Sequence, residues 1–106
     1  MKEIIYDKLV RDKIPEIIEK AGKTCQTEVL SQEKYIEMLD KKLDEELLEY
    51  HNDKNAEELA DLMEVIYAVA VARGYTIDEL EEIRLKKAEK RGGFQGKILL
   101  KKVIEQ

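Results

Sequence analysis

Two pairs of acidic residues have the type and spacing of a metal site. Glu46 and Glu49 are three residues apart in one predicted helix, and Glu58 and Asp61 are three apart at the start of the next. Residues at this spacing share one helix face. The second pair is also the mirror image of the first about the short connection between the two helices. An antiparallel hairpin therefore places Glu49 level with Glu58, and Glu46 level with Asp61. We call these four residues the acidic cluster.

Four converging carboxylates repel one another unless a positive charge lies among them. Hard divalent cations prefer oxygen ligands, and Mg²⁺ commonly takes a few carboxylates while keeping sites for water and phosphate. The pattern therefore predicts a Mg²⁺ site. The alternative is that these are ordinary solvated glutamates, which highly charged helices often carry at the same spacings.

The first helix that must position the cluster is predicted over residues 32–51, with Ser31 as its N-cap. Its apolar residues recur at spacings of three and four: Ile36, Leu39, Leu43, Leu47 and Tyr50. Such spacing is typical of an amphipathic helix. Glu46 falls inside this apolar stripe and Glu49 lies at its edge. An acid inside a core-facing stripe is costly unless it is paired or bound to metal.

The second helix is predicted over residues 55–73, after a break at residues 51–54. Asn55 is its expected N-cap, with Glu58 three residues later as in a capping box. Residues 59–72 are apolar almost all round, with Glu64 the main exception beside Asp61. A helix of this kind is normally buried on all sides, so we expect further helices or a second subunit to cover it.

The remaining elements complete an all-α fold. A short helix is predicted near Pro15, ending before Gly22, and Thr76 with Glu79 predicts a capping box that opens a helix to about Lys90. Residues 98–104 are expected to form a short strand that pairs with residues 24–30. We therefore predict a single domain over residues 1–106, an antiparallel bundle of about four helices with an oligomeric core.

Composition excludes several classes of function. The chain of 106 residues carries a net charge of −5, which disfavours binding to a nucleic-acid polymer, because that binding needs many basic residues. The longest apolar run, residues 65–72, is too short to span a membrane. Cys25 is the only cysteine, so no internal disulfide is possible. These features predict a cytoplasmic protein.

The cluster and its flanks resemble a known family. The segments EELLE at residues 45–49 and ELAD at residues 58–61 resemble the EExxE and ExxD signature of MazG-like, all-α nucleoside-triphosphate pyrophosphohydrolases. Phosphoribosyl-ATP pyrophosphohydrolases belong to the same superfamily. KLVRDKIP at residues 8–15 and KRGGF at residues 90–94 resemble the opening and closing segments of one MazG-like branch. The connection of eight residues between the two signature halves is shorter than in MazG itself, which favours a compact relative.

The resemblance implies a packed helical dimer or higher oligomer that cleaves a nucleotide between its α and β phosphates. The products would be a monophosphate and pyrophosphate, and removal of non-standard nucleotides is the role it suggests. It also implies that the acidic cluster binds Mg²⁺, with Mn²⁺ as a substitute, and that Lys42 contacts phosphate.

Other residues have candidate roles beside the cluster. Glu49 and Glu46 are the catalytic candidates for accepting the proton of the attacking water, and Glu49 is favoured because it lies at the edge of the stripe. Arg11 and Lys13 are candidates for holding the triphosphate, or else form a solvated basic patch. Arg91 is a further candidate for holding phosphate, and Phe94 for stacking on a base or anchoring the core. Glu64 is a candidate for a further metal ligand or a group that supports the ligands, or else it pairs with a Lys or Arg from elsewhere.

Two other functions fit parts of the sequence. A non-catalytic regulatory or interaction dimer explains the apolar helix, but not carboxylates placed symmetrically at a helix interface. A cation-binding helical protein without turnover explains the carboxylates alone. Pyrophosphate release with and without Mg²⁺ separates the three hypotheses.

Overall fold

A computed structural model describes residues 2–106. It contains four helices: α1 (Ile14–Lys20), α2 (Gln32–Asp53), α3 (Ala56–Ala72) and α4 (Ile77–Arg91). The prediction of an all-α fold with about four helices is confirmed. The predicted pairing of residues 24–30 with 98–104 is wrong, because neither segment forms a strand. Residues 98–104 lack the alternation of apolar and polar residues that gives a strand one face to bury.

The chain divides into two compact units at the boundary between Tyr75 and Thr76. The first unit holds α1, α2 and α3, and the second holds α4 and the C-terminal segment. The organisation as a single domain stays a prediction. Within residues 2–106, no helix combines the length and the apolar character needed to cross a bilayer.

Helices α2 and α3 pack against each other as a hairpin. Helix α2 runs to Asp53, two residues beyond its predicted end, so the predicted break at residues 51–54 shrinks to its last residue. Lys54 ends it instead, by taking a left-handed conformation with φ of 51°. The next residue, Asn55, begins α3 by accepting a hydrogen bond from the Glu58 backbone N–H at 3.0 Å. The reversal is thus completed within two residues, which makes the helices antiparallel neighbours.

The open end of the hairpin is fixed by polar contacts. Ser31 caps α2 as predicted, because its side chain accepts a hydrogen bond from the Lys34 backbone N–H at 3.2 Å. The Gln32 side-chain amide donates to the backbone carbonyl of Ala72 at 3.3 Å. Beside them, Arg73 pairs with Asp40 at 3.0 Å. These contacts set the register of α2 against α3 at the end farthest from the turn.

The interior of the first unit is small. Its buried apolar residues are Leu39, Val65 and Ala70, and Glu46 is buried as well. Other apolar residues of α3 remain exposed, with 39% to 50% of the surface of Leu59, Met63 and Ile66 accessible. The expectation that α3 is buried on every side is therefore not met within the single chain.

The second unit begins with the predicted capping box. Thr76 accepts from the Glu79 backbone N–H at 3.0 Å, and the Glu79 carboxylate accepts from the Thr76 backbone N–H at 3.2 Å. Helix α4 then continues to Arg91, one residue beyond its predicted end. It stops at Gly92, whose φ of 83° favours glycine.

Candidate metal centre

The hairpin brings the acidic cluster together. One carboxylate oxygen from each of Glu46, Glu49, Glu58 and Asp61 lies within 4.8 Å of the other three. Glu46 and Glu49 come from α2, and Glu58 and Asp61 come from the first two turns of α3. The convergence follows from the short reversal at Lys54 and Asn55, which keeps both pairs equally far from the turn.

Two oxygens in this cluster are buried without a partner. Glu46 is only 7% exposed, and its Oε2 atom accepts no hydrogen bond from the described residues. The Oε2 atom of Glu58 is in the same condition. A buried carboxylate oxygen without a donor is costly. An all-oxygen ligand set with two such atoms fits a hard divalent cation of the Mg²⁺ type.

Burial and mutual repulsion also perturb the cluster electrostatically. Burial raises the pKa of Glu46, and the nearby Glu49 carboxylate raises it further, while the Lys42 ammonium acts in the opposite direction. The pKa of Glu58 is raised first by loss of hydration and next by Glu49, with smaller effects from Asp53 and Asp61. Both acids hold their protons more tightly than an ordinary glutamate, as expected when no cation is among them.

Two basic side chains border the cluster. The Lys42 Nζ atom lies 3.4 Å from Glu46 Oε1 and 3.2 Å from Glu45 Oε2. Arg11 comes from the segment before α1, and its Nη2 atom donates to Asp61 Oδ1 at 2.6 Å. Both residues were candidates for binding phosphate, and the structure places each one against a carboxylate at the edge of the site.

Two other candidates of the first unit, Glu64 and Lys13, are not brought to the cluster. Glu64 is exposed on α3 and lies outside the four-carboxylate group. No hydrogen bond or ion pair within residues 2–106 joins Lys13 to the cluster. Arg91 and Phe94 belong to the second unit, and their nucleotide-binding roles stay predictions. Phe94 is 97% exposed, so it anchors no core within the single chain.

The structure adds two acids that the sequence interpretation left out. Asp53 lies one turn after Glu49 on α2 and contributes to the raised pKa of Glu58. Its four-residue step from Glu49 was the signal that identifies it, because that step continues the same helix face. Glu45 shares Lys42 with Glu46, and its three-residue step from Lys42 was the corresponding signal.

No protein-family model, curated protein or solved structure matches this chain. The likeness to MazG-like enzymes consequently depends on the residues quoted above and on no wider alignment.

Proposed function

We propose that this chain is a Mg²⁺-dependent nucleoside-triphosphate pyrophosphohydrolase, cleaving between the α and β phosphates to give a monophosphate and pyrophosphate. The observation that carries the proposal is the convergence of the acidic cluster, with buried and unpartnered oxygens on Glu46 and Glu58. The resemblance of these residues to the EExxE and ExxD signature supports this choice of reaction.

The acidic cluster would hold the cation, which when bound neutralises phosphate charge and lowers the pKa of a coordinated water. In the proposed enzyme, the two bordering cations, Lys42 and Arg11, would bind phosphate oxygens at the edge of the site. Opposite charges at the centre and the rim suit a substrate that carries phosphates to a metal site.

Among the four acids, Glu49 is the best candidate for the general base. It is exposed, whereas Glu46 is buried, so its carboxylate can reach a water molecule entering from solvent. In the proposed step the water oxygen attacks the α phosphorus, and its proton passes to Glu49. The bond from the α phosphorus to the bridging oxygen breaks, and pyrophosphate leaves with that oxygen.

We also propose that the enzyme is a cytoplasmic homodimer acting on free nucleotides, non-standard ones included. The exposed apolar side chains of α3 support a second copy as the missing cover. The single cysteine and the absence of any internal disulfide fit a reducing compartment.

Pyrophosphate release from a panel of canonical, deoxy- and modified triphosphates tests the proposal. We expect release with Mg²⁺ or Mn²⁺ and none with excess chelator. Asp61→Asn should reduce turnover at least a hundredfold while leaving the helical circular-dichroism signal intact. Asp44→Asn is the matched control, because Asp44 is exposed on α2 and takes part in no hydrogen bond or ion pair among the described residues. Equal activity of parent and Asp61→Asn would refute the site assignment.

The same experiment separates the alternatives. Cation binding without pyrophosphate release from any triphosphate would indicate a helical cation-binding protein. Absence of both cation binding and turnover would favour the non-catalytic dimer.

A further inference from the structure

Arg11 already forms an ion pair with Asp61, one acid of the proposed metal centre. Its guanidinium donates to Asp61 Oδ1 at 2.6 Å, across 50 positions of sequence. Asp61 is also one of the four carboxylates that converge within 4.8 Å. One side chain therefore has two possible cationic partners, an internal guanidinium and a divalent ion.

The two basic residues at the rim differ in how firmly they are held. Lys42 is only 18% exposed, and both of its acidic partners lie within one turn of the same helix. Arg11 approaches from a segment without regular structure, and the side chains of the Arg11–Asp61 pair are 57% and 40% exposed. An ion pair this exposed favours its closed arrangement by no more than about fivefold. Arg11 is thus the rim cation that can leave at little cost.

The cluster itself points to a ligand stronger than Arg11. Glu46 is nine-tenths buried, and its Oε2 atom has no hydrogen-bond partner among residues 2–106. The guanidinium contacts Asp61 and leaves that buried oxygen, and the one on Glu58, unsatisfied. A small cation with several oxygen ligands can satisfy both.

We propose that Arg11 is an exchangeable counter-ion of the acidic cluster, and that a divalent cation entering the cluster takes Asp61 and releases the guanidinium. A doubly charged ion and a guanidinium on the same carboxylate repel each other, so occupancy by one disfavours the other. The released Arg11 is then available to the anionic part of the substrate, a step that rests on the proposed function. The segment before α1 is thereby coupled to loading of the site.

Cation binding without nucleotide tests the exchange directly. Mn²⁺ affinity would be measured by electron paramagnetic resonance and calorimetry for the parent, Arg11→Gln and Lys13→Gln. The Lys13 variant removes the same charge from the same segment, but no hydrogen bond or ion pair among residues 2–106 joins Lys13 to the cluster. We expect Arg11→Gln to bind Mn²⁺ two- to fivefold more tightly than the parent, and Lys13→Gln to change the affinity by less than half that factor.

A second readout follows the segment itself. In the parent, the backbone amide resonances of residues 9–13 should shift on Mg²⁺ addition with the same midpoint as cation binding. In Arg11→Gln these resonances should respond at most weakly, because the tether is already absent. With nucleotide present, Arg11→Gln should raise KM several-fold more than it lowers kcat.

Equal Mn²⁺ affinities for Arg11→Gln and Lys13→Gln, with unperturbed amides in the parent, would overturn the exchange. That result would leave the hydrolase proposal standing, since the parent still binds the cation. Failure of the parent to bind Mn²⁺ at all would instead refute the metal centre, and the exchange with it.

Discussion

Glu46→Gln should stabilise the metal-free protein while destroying its cation site. The substitution keeps the size of a buried side chain and removes its charge. In the parent that charge is buried beside three other carboxylates, and one of its oxygens has no partner. The amide of glutamine can donate to the remaining carboxylates, and Lys42 can still donate to its oxygen.

The magnitude follows from the distances. Two unit charges 4.8 Å apart repel by about 0.9 kcal/mol at the dielectric constant of water and by about 3.5 kcal/mol at an effective value near 20. Lys42 at 3.4 Å offsets this by about 1.2 kcal/mol in the aqueous case. We use the aqueous value as a conservative one: burial of Glu46 strengthens each interaction, while Arg11 partly neutralises Asp61 and so weakens one of the repulsions. Three repulsions less one attraction then give a stabilisation of about 1.4 kcal/mol.

Urea and thermal unfolding of the metal-free protein measure this change. At pH 7.5, with chelator and at fixed protein concentration, Glu46→Gln should raise the unfolding midpoint by roughly 5–10 °C. Glu45→Gln is the matched control, since Glu45 has the same Lys42 partner but lies outside the acidic cluster. That control should change the midpoint by less than about 2 °C, as expected for a partly exposed ion pair.

Addition of Mg²⁺ should reverse the order of stability. The parent gains stability as its site fills, by an amount that grows with the ratio of free cation to dissociation constant. Glu46→Gln should gain little. A Glu46→Gln protein that is less stable than the parent without metal would refute the reasoning, because it would show that the carboxylate is well satisfied as it stands.

Two further predictions concern pH and assembly. The pKa values of Glu46 and Glu58 are raised in the folded chain, so their contribution to stability is present below the ordinary glutamate pKa and is lost as pH rises through the folded pKa values. Because protons then compete with the cation, Mn²⁺ affinity should weaken on acidification while the pH is still above the ordinary glutamate pKa. An Mn²⁺ affinity that stays constant down to about pH 4.5 would contradict this prediction. Light scattering at micromolar concentration should give about twice the chain mass of 12.4 kDa, and Ile66→Asp should lower it, whereas a stable monomer of the parent would exclude the dimer.

Local signals in the sequence account for most of the first unit. Ser31 and Asn55 each cap a helix through a bond to a backbone N–H three residues later, and caps act within a single turn. To predict that the two symmetrically placed acidic pairs converge, only one further fact was needed: that α2 and α3 are joined by a short connection and run antiparallel. The resulting convergence of the cluster was therefore predictable before any tertiary contact was known.

Which distant residues pair with each other was not predictable in the same way. The contact of Arg11 with Asp61 spans 50 positions, and nothing local distinguishes Arg11 from Lys13 as the residue that reaches α3. The predicted strand at residues 98–104 failed for a related reason. Apolar content alone indicates that a segment has surface to bury, but it does not specify the neighbour against which that surface is buried.

The dipoles of the two helices act on the cluster in opposite directions. Glu58 is in the first turn of α3, where the helix dipole stabilises carboxylates, whereas Glu49 is near the end of α2, where the dipole disfavours them. The hairpin supplies no compensating base beside Glu49 among the described residues. A cation bound between the helices relieves the unfavourable end and the buried oxygens together. Repulsion and burial of these carboxylates lower the stability of the metal-free chain, and their relief contributes to the affinity for the metal. Substitutions at Glu46 that improve stability must therefore weaken metal binding there.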